Sequence, residues 1–122
     1  EATNTKCTQI ALNSFNCDTI LILGGLERGQ DFHDLDNYIK NVRTIVGIGQ
    51  CRDRVKTYGE ELNINTEIFE TLSEAMKYIE TIARSGEVVL LSPASASWDQ
   101  YKQCEDRGDE FKEIVKKIRE KL

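Results

Sequence analysis

Three side chains in this sequence stand where a small anion could be held. Arg28 lies in the run Gly24-Gly25-Leu26-Glu27-Arg28-Gly29-Gln30-Asp31, which follows a short apolar segment. Its guanidinium is permanently charged, and its planar fork matches a carboxylate or a phosphate. The glycines around it permit tight turns and close backbone approach. Ser97 ends the small-residue run Ser92-Pro93-Ala94-Ser95-Ala96 and is placed to cap a short helix beginning at Trp98. A hydroxyl there, with the backbone N–H groups of a helix start, can hold an anion. Thr3, ahead of the first helical pattern, offers a second hydroxyl of the same kind. Two helix starts and one arginine make a carboxylate site if the fold brings them to one edge. On pattern alone the plainer readings stay open: a solvated glycine loop around Arg28 and a simple cap at Ser97.

Other chemistries fit less well. Gly24 and Gly29 have the separation of a phosphate-binding P-loop, but Gln30 and Asp31 stand where it needs lysine and serine or threonine. Gly47-Ile48-Gly49-Gln50-Cys51-Arg52 is a partial dinucleotide fingerprint that lacks its third glycine, at Arg52. A nucleophilic serine needs a base, and the single histidine, His33, sits in an acidic stretch. The cysteines Cys7, Cys17, Cys51 and Cys104 show no Cys-x-x-Cys spacing, so no zinc site is expected. They read as reduced, mostly buried small apolar residues. A net charge of −5 argues against nucleic acid as the main partner. The longest apolar candidate, Val88 to Leu91, is strand-sized, far short of the ~20 residues that cross a bilayer. The start, Glu1-Ala2-Thr3-Asn4, lacks the pattern of a signal peptide. A cytoplasmic monomer with no membrane or nucleic-acid partner is expected.

The elements that must position these residues follow from periodicity. Cys7, Ile10, Ala11 and Ser14 form a helical stripe. Thr19 to Leu23 is a strand buried on both faces, ended by Gly24-Gly25. Phe32, Leu35 and Ile39 mark a helix with Asp31 as its N-cap. Thr44 to Ile48 is a second strand, and Cys51, Val55, Tyr58 and Leu62 space out the next helix. Thr66 to Phe69 is a third, weaker strand. Thr71 and Glu74 make a capping box for a helix with Leu72, Ala75, Met76, Ile79 and Ala83 inward, and Gly86 is expected to close it. Val88 to Leu91 is the fourth strand, and Phe111, Ile114, Val115, Ile118 and Leu122 mark a last helix. This alternation implies an α/β fold: a doubly wound, mostly parallel, Rossmann-like sheet with helices on both faces. Its 122 residues fit one domain. In such sheets ligands bind beyond the carboxyl ends of the strands, which is where Arg28 and Ser97 fall.

Leu90-Leu91-Ser92-Pro93-Ala94-Ser95-Ala96-Ser97-Trp98-Asp99-Gln100-Tyr101-Lys102, continuing to Glu105-Asp106-Arg107-Gly108-Asp109-Glu110-Phe111, resembles the C-terminal domain of the Mur ligase family, in particular the members that add D-glutamate. Leu23 to Phe32 resembles the family's glycine loop, and Ala2-Thr3-Asn4-Thr5 the end of its Ser-Lys-Ala-Thr-Asn motif. The resemblance implies a cytoplasmic ATP- and magnesium-dependent ligase of peptidoglycan synthesis. It joins D-glutamate to UDP-N-acetylmuramoyl-L-alanine through an acyl-phosphate. It implies that residues 1–122 are the domain that delivers the amino acid, with the UDP-binding and central ATPase domains upstream. It also implies that Thr3, Arg28 and Ser97 hold the D-glutamate carboxylates, with Asn4 and Cys104 as additional positions near the substrate. No metal ligand and no catalytic residue are expected in this segment. Three positions depart from the family: Glu1 for its lysine, Arg28 for the lysine of some members, and Cys104 for phenylalanine. The competing readings are a stand-alone anion-binding or regulatory module of the same fold, and a dinucleotide-dependent oxidoreductase. A receiver-type signalling domain would need an acidic pair where this chain has Gly24-Gly25.

Overall fold

The chain was examined as a computed structural model, which describes residues 16–25, 29, 31–92 and 101–102 together with Gln9, Leu12 and Asn13. Five strands form one sheet in the order β3-β2-β1-β4-β5. They are β1 (Thr19–Gly25), β2 (Val42–Gly49), β3 (Asn65–Phe69), β4 (Val88–Ser92) and β5 (Tyr101–Lys102). The first four are mutually parallel, and the two-residue β5 runs antiparallel to β4. A 3-10 helix (Phe32–Tyr38) joins β1 to β2, α1 (Arg52–Glu61) joins β2 to β3, and α2 (Leu72–Ile82) joins β3 to β4.

Alternating side chains divide the core into two layers, as a strand's period of two dictates. On one face Leu21, Leu23, Ile45, Val88 and Leu90 pack with Phe32 and Leu35 of the 3-10 helix and with Val55 and Tyr58 of α1. On the other, Ile20, Ile22, Val46, Ile48, Val89 and Leu91 pack against Ala75, Met76 and Ile79 of α2. The sheet is therefore covered on both sides, and the expected doubly wound, mostly parallel α/β architecture is present.

Local details follow side-chain chemistry. The Thr71 hydroxyl accepts from the Glu74 N–H at 3.2 Å, and the Glu74 carboxylate accepts from the Thr71 N–H at 3.3 Å, completing the expected capping box. Asp31 caps the segment after β1 by accepting from the His33 N–H at 2.9 Å. The expected helix there winds as a 3-10 helix. Its sequence, Phe-His-Asp-Leu-Asp-Asn-Tyr, is rich in side chains that compete for backbone donors, and its buried Phe32 and Leu35 are three residues apart, the repeat that stacks in a 3-10 turn. Gly86 does not close α2. The helix ends at Ile82 with Ala83 extended, and Gly86 (φ +86°) occupies the next turn, where the Glu87 N–H donates to the Arg84 carbonyl at 3.3 Å. Tyr101–Lys102 is a strand where the sequence suggests a short helix; pairing with β4 satisfies an edge that would otherwise be bare. Leu12 is buried in the core although it lies off the predicted stripe of the first helix. The stripe residues Cys7, Ile10, Ala11 and Ser14, and the predicted last helix, lie outside the described residues.

Cys17 is disulfide-bonded, which departs from the expectation of reduced cysteines. Spacing along a chain carries no information about which thiols fold into proximity. Cys51, in contrast, is a buried thiol as expected.

One ion pair ties the amino ends of the strands. Between Thr19 and Ile20 the partner in β2 jumps from Val42 to Thr44, so Arg43 is the extra residue of a bulge. Its guanidinium pairs with Glu87, which is only 4% exposed, and donates to the Ile82 carbonyl at 2.7 Å. The same carboxylate accepts from Arg43 Nη2 at 2.9 Å and from the Arg84 N–H at 2.6 Å. The hydrogen bond from Glu87, then its charge, raise the Arg43 pKa above its ordinary value against the cost of burial. Every buried oxygen of Glu87 thus has a donor, the condition under which such a pair is retained. Arg43→Ala leaves that carboxylate without its main partner, and urea unfolding is expected to show a loss of ~3–5 kcal/mol; a loss under ~1 kcal/mol would show that the pair is not buried in solution.

Candidate functional site

The sheet order makes β1 the strand at which the winding reverses. From β1 the chain moves to β2 on one side and, after β3, returns to β4 on the other. In such folds the usual ligand position lies at that point, beyond the carboxyl ends of the two strands. Leu23 of β1 is paired with Ser92 of β4, so the two loops leave the sheet side by side. Arg28 follows the end of β1 at Gly25, and Ser97 follows the end of β4 at Ser92. Thr3, Asn4, Arg28, Ser97 and Cys104 themselves lie outside the described residues. What is described is the frame from which two of their segments spring.

That frame is built of glycine for steric reasons. Gly24 (φ +132°) would place a Cβ 2.1 Å from the Ile48 carbonyl oxygen, and Gly49 (φ +73°) would place one 2.8 Å from the Gly25 oxygen. The ends of β1 and β2 therefore touch backbone to backbone, with Gly25 and Gly49 as the last pair of the ladder. Cys51, 1% exposed, follows at the N-cap of α1. Its N–H donates to the Gly25 carbonyl at 3.4 Å, and its thiol points at the same oxygen at 3.7 Å. The Arg52 guanidinium donates to the Gly49 carbonyl at 2.8 Å. An arginine folded back on the loop occupies the position where a dinucleotide fingerprint needs its third glycine, so the geometry opposes that reading. On sequence alone Gly47 and Gly49 read only as a partial fingerprint; the close fit of Gly49 against Gly25 needed the register of the two strands, and Gly47 faces Val55 and Ile68 instead.

His33 is engaged elsewhere. Nδ1 is 3.1 Å from Asp36, Nε2 is 3.1 Å from Glu61 at the end of α1, and the ring stands edge-on to Tyr58. The Tyr58 hydroxyl donates to Asp36 at 3.0 Å. Burial, reinforced by Asp36, holds the Tyr58 phenol well above its ordinary pKa, so it is a neutral donor. Both ring nitrogens of His33 are thus engaged by carboxylates, in keeping with the acidic stretch it sits in. Among the described residues no cluster of three or more His, Cys, Asp or Glu could hold a metal ion. Nor is any helix among them long and apolar enough to cross a membrane.

With the frame in place, comparison with known proteins becomes informative. Over 119 residues the chain is 44% identical to proteins named UDP-N-acetylmuramoylalanine--D-glutamate ligase from Bacillus cereus, Bacillus anthracis and Bacillus thuringiensis. The chain resembles a Mur ligase C-terminal domain. The match takes in 97% of this chain and 26% of each relative, so it spans about a quarter of the curated ligases it resembles. No protein-family model matches it. The likeness to Mur ligases is therefore carried by full-length relatives together with the three motifs around Thr3, Arg28 and Ser97.

The His33 cluster provides a pH test. The Asp36 hydrogen bond, then its charge and those of Glu61, raise the His33 pKa above 6.5. A raised folded-state pKa stabilises fully below the unfolded value and is lost as pH rises through the folded one. Since His33 is the only histidine, an NMR titration of its ring is unambiguous: a midpoint above 6.5 is expected, falling in Asp36→Asn. A wild-type midpoint at or below 6.5 would show that the two carboxylates do not engage the ring.

Proposed function

We propose that this chain is the amino-acid-delivering C-terminal domain of a cytoplasmic ligase that adds D-glutamate to UDP-N-acetylmuramoyl-L-alanine. This places it in peptidoglycan synthesis, and through the cell wall in cell shape and division. The observation that carries the reading is the 44% identity over 97% of the chain to ligases of that name. It is supported by the sheet order, which brings the segments leading to Arg28 and Ser97 out at neighbouring strands.

In this reading Arg28 clamps one carboxylate of D-glutamate through a charge-assisted pair. Thr3 and Ser97 donate hydroxyl hydrogens to the carboxylate oxygens. Asn4 and Cys104 stand close enough in the motifs to shape the rest of the substrate's surroundings. Held by both carboxylates, the amino acid presents its amine to the acyl-phosphate that the upstream ATPase domain makes from the UDP-muramoyl substrate. Nitrogen attacks the acyl carbon, phosphate leaves, and an amide results. ATP and magnesium ion belong to that upstream domain, so this chain contributes orientation rather than bond chemistry. It closes over the ATPase domain and works as a monomer. A stand-alone anion-binding module of the same fold would show the same carboxylate site with no coupled ligase.

Titration of D-glutamate, with L-glutamate as control, into the isotope-labelled chain is expected to shift the amides around Thr3, Arg28 and Ser97, more strongly for the D form. In the intact ligase, Arg28→Ala is expected to weaken use of D-glutamate by ~1.5–3 kcal/mol, the range for a hydrogen bond to a charged group. An unchanged Michaelis constant and rate would remove Arg28 from the site. The isolated chain is expected to release no ADP from ATP in the presence of both substrates; detectable release would show that the ATPase function does not reside upstream.

A further inference from the structure

We propose that Gly49 and Cys51, neither of which touches the substrate, are positioning residues for the segment that carries Arg28; this rests on the reading of Arg28 given above. Gly25 is the last residue of β1, and Arg28 follows within three residues. Three peptide units reach at most ~11 Å, so Gly25 fixes where the segment that carries Arg28 leaves the sheet.

Among the described residues, the contacts that locate the Gly25 carbonyl come from the β2–α1 turn. Gly49 lies against it so closely that its absent Cβ would stand 2.8 Å from the Gly25 oxygen and 2.9 Å from its Cα. The N–H of Cys51 donates to that oxygen, and the buried Cys51 thiol flanks it. The turn is itself anchored. Arg52 holds the Gly49 carbonyl, and the Val55 N–H donates to the Cys51 carbonyl at 3.0 Å. Val55 and Tyr58 of α1 are then buried against the sheet. The turn is thus a fixed post, and the end of β1 rests on it. A methyl at Gly49 must push Gly25 away, because the atoms it meets are backbone.

The test is a comparison of Michaelis constants in the intact ligase for Gly49→Ala, Cys51→Ala, Cys51→Ser and Arg28→Ala. Gly59→Ala serves as the structural control. Its Cβ would meet Thr66 Oγ1 at 1.8 Å in the contact between α1 and β3, near the opposite end of α1 from Cys51. Gly49→Ala is expected to lower kcat/KM for D-glutamate by about tenfold or more, within the ~100-fold that a 1 Å misplacement can cost. The change should appear in KM for D-glutamate, with KM for ATP and for the UDP-linked substrate unmoved. Cys51→Ala should act in the same direction to a smaller extent, and Cys51→Ser, which keeps a donor, less again. If Gly49→Ala does not fold, the two Cys51 variants decide. Gly59→Ala, or Ile79→Val if that does not fold, is expected to lower the melting temperature and leave the D-glutamate constant alone. A D-glutamate constant unchanged in the Gly49 and Cys51 variants, or all three constants rising together as in a merely destabilised enzyme, would overturn the proposal while a raised constant in Arg28→Ala left the substrate reading standing. No effect of Arg28→Ala would overturn the substrate reading itself.

Discussion

β1 is hydrogen-bonded along both edges and buried on both faces, and the remaining elements are arranged around that condition. A strand so enclosed cannot carry charge, which is why it reads Thr-Ile-Leu-Ile-Leu. It also cannot be approached from the side. At its carboxyl end the side chains disappear: Gly24 and Gly25 run against Ile48 and Gly49 with no room for a Cβ at Gly24. The apolar strand and the glycines that end it express one constraint, close backbone packing at the centre of the sheet.

The two ends of the sheet are consequently unlike. The amino ends are tied by charge: Arg43 and Glu87 bracket the start of β1, and His33 links the 3-10 helix to Glu61 at the end of α1. These groups satisfy one another. At the carboxyl ends the described contacts are backbone carbonyls, a thiol and one arginine folded onto Gly49. Charged ties thus hold the amino ends of the strands, whereas backbone and thiol contacts hold the described carboxyl ends.

Much of this architecture could be read from residue patterns, and the exceptions have physical causes. Three of the four parallel strands were legible because strands buried on both faces are unbroken runs of β-branched and aliphatic residues, whereas β3, partly exposed, gave a weaker pattern; the Thr71 to Glu74 box was legible because both partners lie within one turn. The 3-10 geometry was not, since Phe32, Leu35 and Ile39 suit either helix until the competing Asp and Asn side chains are placed. Gly86 has the form of a helix stop, but Glu87 reaches back to the Arg84 N–H and shifts the turn. The pairing of Arg43 with Glu87 depends on a bulge that no local pattern announces, and the bond at Cys17 depends on proximity in space. For the site, side-chain chemistry and position, and then motif resemblance, singled out Thr3, Arg28 and Ser97 as candidates, whereas Gly49 and Cys51 emerged only from the register between β1 and β2.

The strand order has a consequence for how the molecule is made. Synthesis from the amino end delivers β1, β2, α1 and β3 first, and these can form three adjacent strands with one covered face. The opposite face, with Ile20, Ile22, Val46 and Ile48, stays bare until α2 emerges, and the far edge of β1 stays open until β4 does. Until that late closure the nascent chain exposes a greasy plane and a free strand edge together, the combination that recruits chaperones or neighbouring chains. The step that completes the sheet is therefore also the one that makes the chain safe to release.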